Sequence, residues 1–181
     1  MIFLIVTLCE LINFTLIMKT LYIVRHAKSS WNYQGIKDID RPLKKRGIND
    51  AYLLSKTLSK KIERPSVFIS SSANRALHTA MIFCESFKFP LANLQIKKSL
   101  YNFSDGYLIK TIKALDDGFD SAMIFSHDHG INDFVNQYGN KEILHVPTCG
   151  IIGIKFNTKH WKNIKPNKNK TFLFDYPKNY K

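Results

Sequence analysis

Four apolar or aromatic residues, Leu21-Tyr22-Ile23-Val24, run without a polar break into Arg25 and His26. A short run of this kind reads as a parallel strand buried on both faces, and strands buried on both faces need helices to cover them. In open α/β sheets the chemistry gathers at the carboxyl ends of such strands. An arginine and a histidine at that end offer a permanently charged fork and a nitrogen that serves as base or nucleophile. The dipeptide alone fits better a strand that simply ends in solvated polar residues, and what lies further along the chain changes that.

The rest of the chain repeats the pattern. Val67-Phe68-Ile69-Ser70 and Ala122-Met123-Ile124-Phe125 are further compact apolar strands, the second followed by Ser126-His127-Asp128-His129-Gly130. Ahead of them, Ile48, Ala51, Tyr52, Leu54, Leu58 and Ile62 recur at helical spacing, which predicts a helix over residues 44–62. Leu77, Ala80, Met81, Cys84 and Phe87 predict a second helix, with Ser71-Ser72 where an N-cap belongs. Leu108, Ile109, Ile112 and Leu115 mark a third, starting near Ser104-Asp105, and a fourth is expected over residues 131–138. Residues 94–96 suit an edge strand, and residues 149–154 and 171–174 suit two more. Strands alternating with helices predict an α/β three-layer sandwich with a mostly parallel sheet. Residues 28–43 are polar and rich in turn formers, a long loop of the kind that often carries function.

The chain has 181 residues, enough for one domain with a real core. Residues 1–17 are strongly apolar but interrupted by Glu10 and Asn13, and fall short of the ~20 residues of a spanning helix. They lack a basic flank and a small-residue cleavage site, so they do not read as a signal peptide. The expected organisation is an N-terminal extension over 1–17 and a domain over 18–181, with a membrane or partner helix as the other reading of the extension. Cys9, Cys84 and Cys149 are odd in number and widely spaced, which fits neither a disulfide framework nor a paired zinc site and suits a reducing, cytoplasmic setting. The net charge of +13 favours anionic ligands of any kind, nucleic acid, membranes and phosphorylated groups alike.

Several segments in order resemble the histidine phosphatase superfamily, with its phosphoglycerate-mutase-like fold, and within it the short SixA-type phosphohistidine phosphatases. Residues 22–31, with Arg25-His26-Ala27 followed by Lys28-Ser29-Ser30-Trp31, resemble the family's opening motif. The segment 38–47, containing Asp38, Arg41-Pro42-Leu43 and Arg46-Gly47, is similar to that branch's lead into its first helix. Ser71 to Ala80, with Arg75 and Thr79, resembles its second-helix stretch, and Ser126-His127-Asp128-His129-Gly130 its second histidine element. Pro147-Thr148-Cys149-Gly150 resembles the lead into its late strand.

The resemblance implies that His26 attacks phosphorus and carries it as a phosphohistidine, while Arg25, Arg75 and His127 bind the phosphoryl oxygens. No metal or other cofactor is expected, because the guanidiniums already neutralise the phosphate. The expected partners are a phosphorylated protein or a small phosphorylated substrate, with no nucleic acid, no membrane for the core domain, and a monomeric state. The absence of long insertions implies no large lid, and an open pocket suits a protein-borne phosphate. The sequence also departs from the family. Ser126 stands where glycine is usual, Asp128 where asparagine is usual, His129 at a position often proline, and Asn74 where a second arginine is common. No carboxylate occupies residues 100–102, where larger relatives keep a leaving-group acid, and Asp105 is the nearest in sequence. Asp128 is expected to repel a phosphate unless it points away. Arg41 and Arg46 read equally as structural ion-pair formers or as part of a phosphate-attracting rim. His78, His145 and His160 default to the surface.

Three rivals follow from the same residues. The departures favour a phosphate- or phosphoprotein-binding module that lost turnover. The eight lysines of residues 155–181 favour a nucleic-acid binder. The His127-x-His129 spacing favours a metal-dependent hydrolase.

Overall fold

The computed structural model describes residues 18–102, 104–166 and 169–181, so the apolar stretch 1–17 and Cys9 lie outside the described residues. The elements in chain order are β1 (Lys19–Arg25), α1 (Lys45–Leu58), β2 (Val67–Ser71), α2 (Asn74–Ser86), β3 (Gln95–Lys97), α3 (Asp105–Lys113), β4 (Ser121–Ser126), α4 (Gly130–Tyr138), β5 (Ile151–Phe156) and β6 (Lys170–Asp175). The strands form one sheet in the order β3-β2-β4-β1-β5-β6. From β3 to β1 every pairing is parallel, whereas β5 runs antiparallel to both β1 and β6. The mostly parallel α/β sandwich expected from the alternation of elements is the fold observed.

Side chains alternate between the faces of a strand, and here both faces are covered. Leu21 and Ile23 of β1, with Ala122 and Ile124 of β4, enter a core closed by Leu108 and Ile112 of α3 and Phe134 and Val135 of α4. Tyr22, Val24, Met123 and Phe125 enter the opposite core, closed by Ala51, Leu54 and Leu58 of α1 and Ala80 and Phe83 of α2. Burying a side chain of this size contributes about 1.5–3 kcal/mol, so the central strands are the rigid base of the molecule.

Three boundaries differ from those read in the sequence. α1 stops at Leu58, and Ile62 packs on the core from beyond the helix end. α2 begins at Asn74 with Ala73 as its N-cap and no side-chain cap from that residue; the Ser71 hydroxyl accepts from Ala73 N at 3.3 Å and also bonds His127. β5 begins at Ile151, since Cys149 adopts a φ of 62° in the turn that precedes it. At α3 the expected cap is present: Gly106 N donates to Ser104 Oγ at 3.2 Å.

Candidate active site

β1 and β4 end side by side, with Arg25 opposite Ser126 in the parallel ladder. His26 continues the ladder by one residue. Its N–H donates to Ser126 O, and its carbonyl accepts from Cys149 N, each at 3.1 Å. Ala27 N donates to Thr79 Oγ1 at 3.0 Å, and the Thr79 hydroxyl donates to Arg75 O at 2.7 Å. A single threonine therefore ties the start of α2 to the residue beside His26.

The imidazole of His26 has a defined tautomer. Nδ1 lies 2.8 Å from Ala27 O, a pure acceptor, so Nδ1 carries the proton and Nε2 keeps its lone pair. Arg75 Nε donates to that lone pair at 3.3 Å. Burial, reinforced by the charges of Arg75, Arg25 and Arg41, pushes the His26 pKa down to about 4 against the opposing pull of the bond to Ala27 O. At neutral pH the ring is uncharged and surrounded by cations.

His127, at the end of β4, places its ring centroid 5.2 Å from that of His26. It shares a 2.8 Å hydrogen bond between Nε2 and Ser71 Oγ, and it meets the edge of Tyr101 at 5.7 Å. Burial and the neighbouring His26 and Arg75 hold it neutral as well, with a pKa pushed down to about 2. The Ser126 side chain donates to Leu100 O at 3.0 Å, fastening the turn that carries Tyr101 to the end of β4.

Both arginines already hold carboxylates. Arg75 Nη1 donates to Asp38 O at 2.7 Å and Nη2 to Asp38 Oδ2 at 3.0 Å. Arg25 Nη2 pairs with Asp128 Oδ2 at 2.9 Å, while Nη1 donates to Val146 O at 2.6 Å and to His145 Nε2 at 3.2 Å. Partial burial alone would raise the Asp38 pKa, but hydrogen bonds from Arg41 and Tyr101 and the charge of Arg75 bring it down to about 2.

The long loop after β1 is folded back on itself. Ser30 N donates to Pro42 O at 2.9 Å, and Lys44 N to Lys28 O at 2.8 Å. Gly47 abuts the same carbonyl so closely that an added Cβ would lie 2.2 Å from Lys28 O, which explains the glycine in the first turn of α1. Arg41 pairs with Asp38 at 2.7 Å, donates to Ser30 O and Ser29 Oγ, and stacks 3.2 Å from the ring of Trp31. Arg41 is thus both an ion-pair former and part of the pocket wall.

All four residues singled out in the sequence, Arg25, His26, Arg75 and His127, line one cavity of about 370 Å³, together with Asp38, Arg41, Asp128 and His129. Asp105 does not line it; the carboxylates of the pocket are Asp38 and Asp128. Asp128 turns toward Arg25 rather than away from the site. Asp38, Tyr101 and Ser71 are the site residues to which sequence reasoning gave no role of this kind, although Asp38 and Ser71 fall within segments that carried the resemblance. Among the described residues no group of three or more His, Cys, Asp or Glu side chains could hold a metal ion. Cys84 is buried with its thiol pushed up to about 12 by burial, so it is no nucleophile.

A neutral imidazole between two guanidiniums, at the carboxyl ends of parallel strands, is chemically a receptor for a tetrahedral oxyanion with a nucleophile in its floor. The family model described as Histidine phosphatase superfamily (branch 1) matches residues 21–106. A chloroplastic protein of Arabidopsis thaliana, itself described as uncharacterised, is 40% identical over 65 residues, a match that spans 36% of this chain and 30% of that protein. The fold is similar to that of an Agrobacterium tumefaciens protein named as a phosphohistidine phosphatase of the SixA type, with a TM-score of 0.74 and 20% identity over 88% of this chain and 98% of the other. It is similar also to the protein histidine phosphatase SixA complexed with tungstate, with a TM-score of 0.71 and 16% identity over 90% of this chain and 99% of the other. Residues 21–106 thus match the model of the histidine phosphatase superfamily, and the fold of the chain is that of the SixA-type structures.

Proposed function

We propose that this protein is a metal-independent phosphatase that works through a covalent phosphohistidine on His26 and acts on phosphohistidine in proteins, with small phosphomonoesters as secondary substrates. The observation that carries the reading is the tautomer of His26: Nδ1–H is committed to Ala27 O, which leaves the Nε2 lone pair beside Arg75. In the first step Nε2 forms a bond to phosphorus as the bond to the leaving nitrogen or oxygen breaks, and the leaving group departs with the bonding pair and takes up a proton. In the second step water attacks phosphorus, the P–Nε2 bond breaks, and inorganic phosphate leaves. Arg25, Arg75 and His127 hold the equatorial oxygens, so the protein contributes chiefly position and charge stabilisation. The similarity in fold to a SixA structure holding tungstate, a tetrahedral oxyanion, supports the same use of this pocket.

Phosphohistidine leaves easily once its ring nitrogen is protonated, whereas an alkoxide needs a proton delivered to it. Asp38, ionised and engaged by Arg41, Arg75 and Tyr101, is a poor proton donor, which favours phosphoramidates over alkyl phosphates. We take residues 18–181 as the catalytic domain and residues 1–17 as an extension to it, and a reducing compartment and a monomeric state as its setting. Among the described residues no helix is long and apolar enough to cross a membrane.

The test is to incubate the protein with labelled phosphohistidine protein, quench in alkali and map the label. Label on His26, and loss of both label and turnover in His26→Ala, is the expected result; label elsewhere, or turnover surviving in His26→Ala, overturns the reading. The ion pairs of Asp38 with Arg75 and of Asp128 with Arg25 favour a second reading, a phosphate-binding module without turnover. It would bind phosphohistidine protein and leave both that protein and p-nitrophenyl phosphate intact.

A further inference from the structure

A second cavity, of about 450 Å³, adjoins the His26 pocket, and Arg25, Lys28 and Thr148 line both. Its remaining walls come from three places far apart in sequence. Arg46 stands in the first turn of α1, His145 in the loop before β5, and Tyr176 and Lys178 in the segment after β6.

Its charge is one-sided. Arg25, Lys28, Arg46 and Lys178 line it with a single carboxylate, Asp50, while Arg25 is already paired with Asp128 of the neighbouring pocket. Asp50 is nearly buried and is held by both Arg46, with Nε 3.5 Å from Oδ2, and Lys181. Because Lys181 already offsets Asp50, the Arg46 guanidinium, whose side chain is 65% exposed, has charge to spare for a ligand. The walls are also held in place. The Lys28 carbonyl is fixed to α1 by Lys44 N at 2.8 Å, and the Asp50–Lys181 pair fastens the end of the chain to the same helix. A rigid, positive recess beside a phosphoryl pocket attracts anions and loses little freedom on binding them.

We propose that this second cavity is an anion subsite, and that it selects substrates bearing an acidic group next to the phosphoryl group that His26 receives. The ligand chemistry is a carboxylate tethered to the transferred phosphoryl, supplied by an acidic side chain that flanks a phosphohistidine. The inference rests on the phosphatase reading, because it is the phosphoryl group at His26 that brings the second anion to the recess.

The test uses two phosphohistidine peptides that differ only in having Glu-Glu or Gln-Gln beside the phosphohistidine. A small bisphosphate and its monophosphate form a second arm, and p-nitrophenyl phosphate, which has no second anion, is the control. The variant is Arg46→Gln combined with Lys178→Gln, neither of which lines the His26 pocket. For the intact protein the acidic peptide is expected to have a KM about fivefold below the neutral one, the scale of two solvent-exposed ion pairs. The double variant abolishes that difference and leaves kcat/KM for p-nitrophenyl phosphate unchanged. A preference confined to the bisphosphate arm overturns the assignment to an acidic side chain. No preference in the intact protein, or a preference that survives in the double variant, overturns the subsite itself.

A parallel measurement separates this failure from failure of the phosphatase reading. Calorimetric binding of the two peptides, each carrying a non-hydrolysable phosphohistidine analogue, to the His26→Ala protein reads the subsite without turnover. A binding preference together with no hydrolysis of any substrate sinks the phosphatase reading and keeps the subsite.

Discussion

Asp38 grips Arg75 with two different acceptors, its backbone carbonyl on Nη1 at 2.7 Å and its carboxylate on Nη2 at 3.0 Å. Only Nε is left facing His26. A phosphate that enters the pocket must share Nη2 with a carboxylate or push it aside, so Asp38 competes with substrate and product alike. Replacing Asp38 by Asn keeps the carbonyl contact and removes the competing charge. Inorganic phosphate should then inhibit more strongly, by on the order of fivefold, or about 1 kcal/mol. A competitive inhibition constant measured for wild type and Asp38→Asn checks this, and an unchanged constant would show that Asp38 does not compete.

Asp128 plays the same part toward Arg25, an arginine whose side chain is more exposed than that of Arg75. Asp128→Asn should raise kcat/KM a few-fold at low ionic strength, and the gain should shrink toward unity in about 1 M salt, where the screening length is about 3 Å. Initial rates across a salt series decide the matter.

The pH dependence follows from the neutral imidazole. In the proposed mechanism His26 has to lose its proton to attack, and its pKa is pushed down to about 4 from the usual 6.5. Once corrected for ionisation of the substrate, kcat/KM should hold its plateau through pH 6 and fall only as the pH drops through about 4. The linked effect on stability has the same cause. The unfolded chain takes up a proton at His26 below about 6.5 while the native chain does so only near 4, so stability declines as pH falls between those values. Denaturant titrations should show a shallower acid decline for His26→Ala than for wild type.

Thr79 holds the site together without facing the substrate. Its hydroxyl accepts from Ala27 N and donates to Arg75 O, both buried. Thr79→Val keeps the shape and strands the Ala27 N–H, which should lower unfolding free energy by about 1–3 kcal/mol. Urea denaturation measures the loss. Reduced phosphate affinity in the folded variant would report the accompanying shift of Arg75.

Much of this arrangement was readable in the chain, for a physical reason. β1 and β4 are buried on both faces, so apolar residues fill every position between their polar ends, and the catalytic histidine candidates stand where the apolar run stops. The amphipathic periods of α1 and α2 were equally plain. The carboxylate partners were not. Asp38 sits in a polar loop 37 residues from Arg75, and only the folding back of that loop brings the two together. Asp128 was expected to repel an anion, because its neighbour in sequence, His127, gave no hint that Arg25 from another strand lies 2.9 Å away. Ser71 reads as a helix cap, and its hydroxyl does accept from Ala73 N, yet it also serves His127 across the gap between two strands.

The reversal of chain direction between β1 and β5 has a consequence for how such a protein diversifies. Because β5 runs against β1, the loop leading into it arrives at the same rim where β1 and β4 finish, and it delivers His145, Val146 and Thr148 to that rim. On the proposed reading, reaction would be set at the ends of β1 and β4 and recognition largely at the loop before β5 and the segment after β6. Side chains after β6 could then vary to change the company the phosphoryl group keeps, while His26 and the helix-borne Arg75 stay as they are.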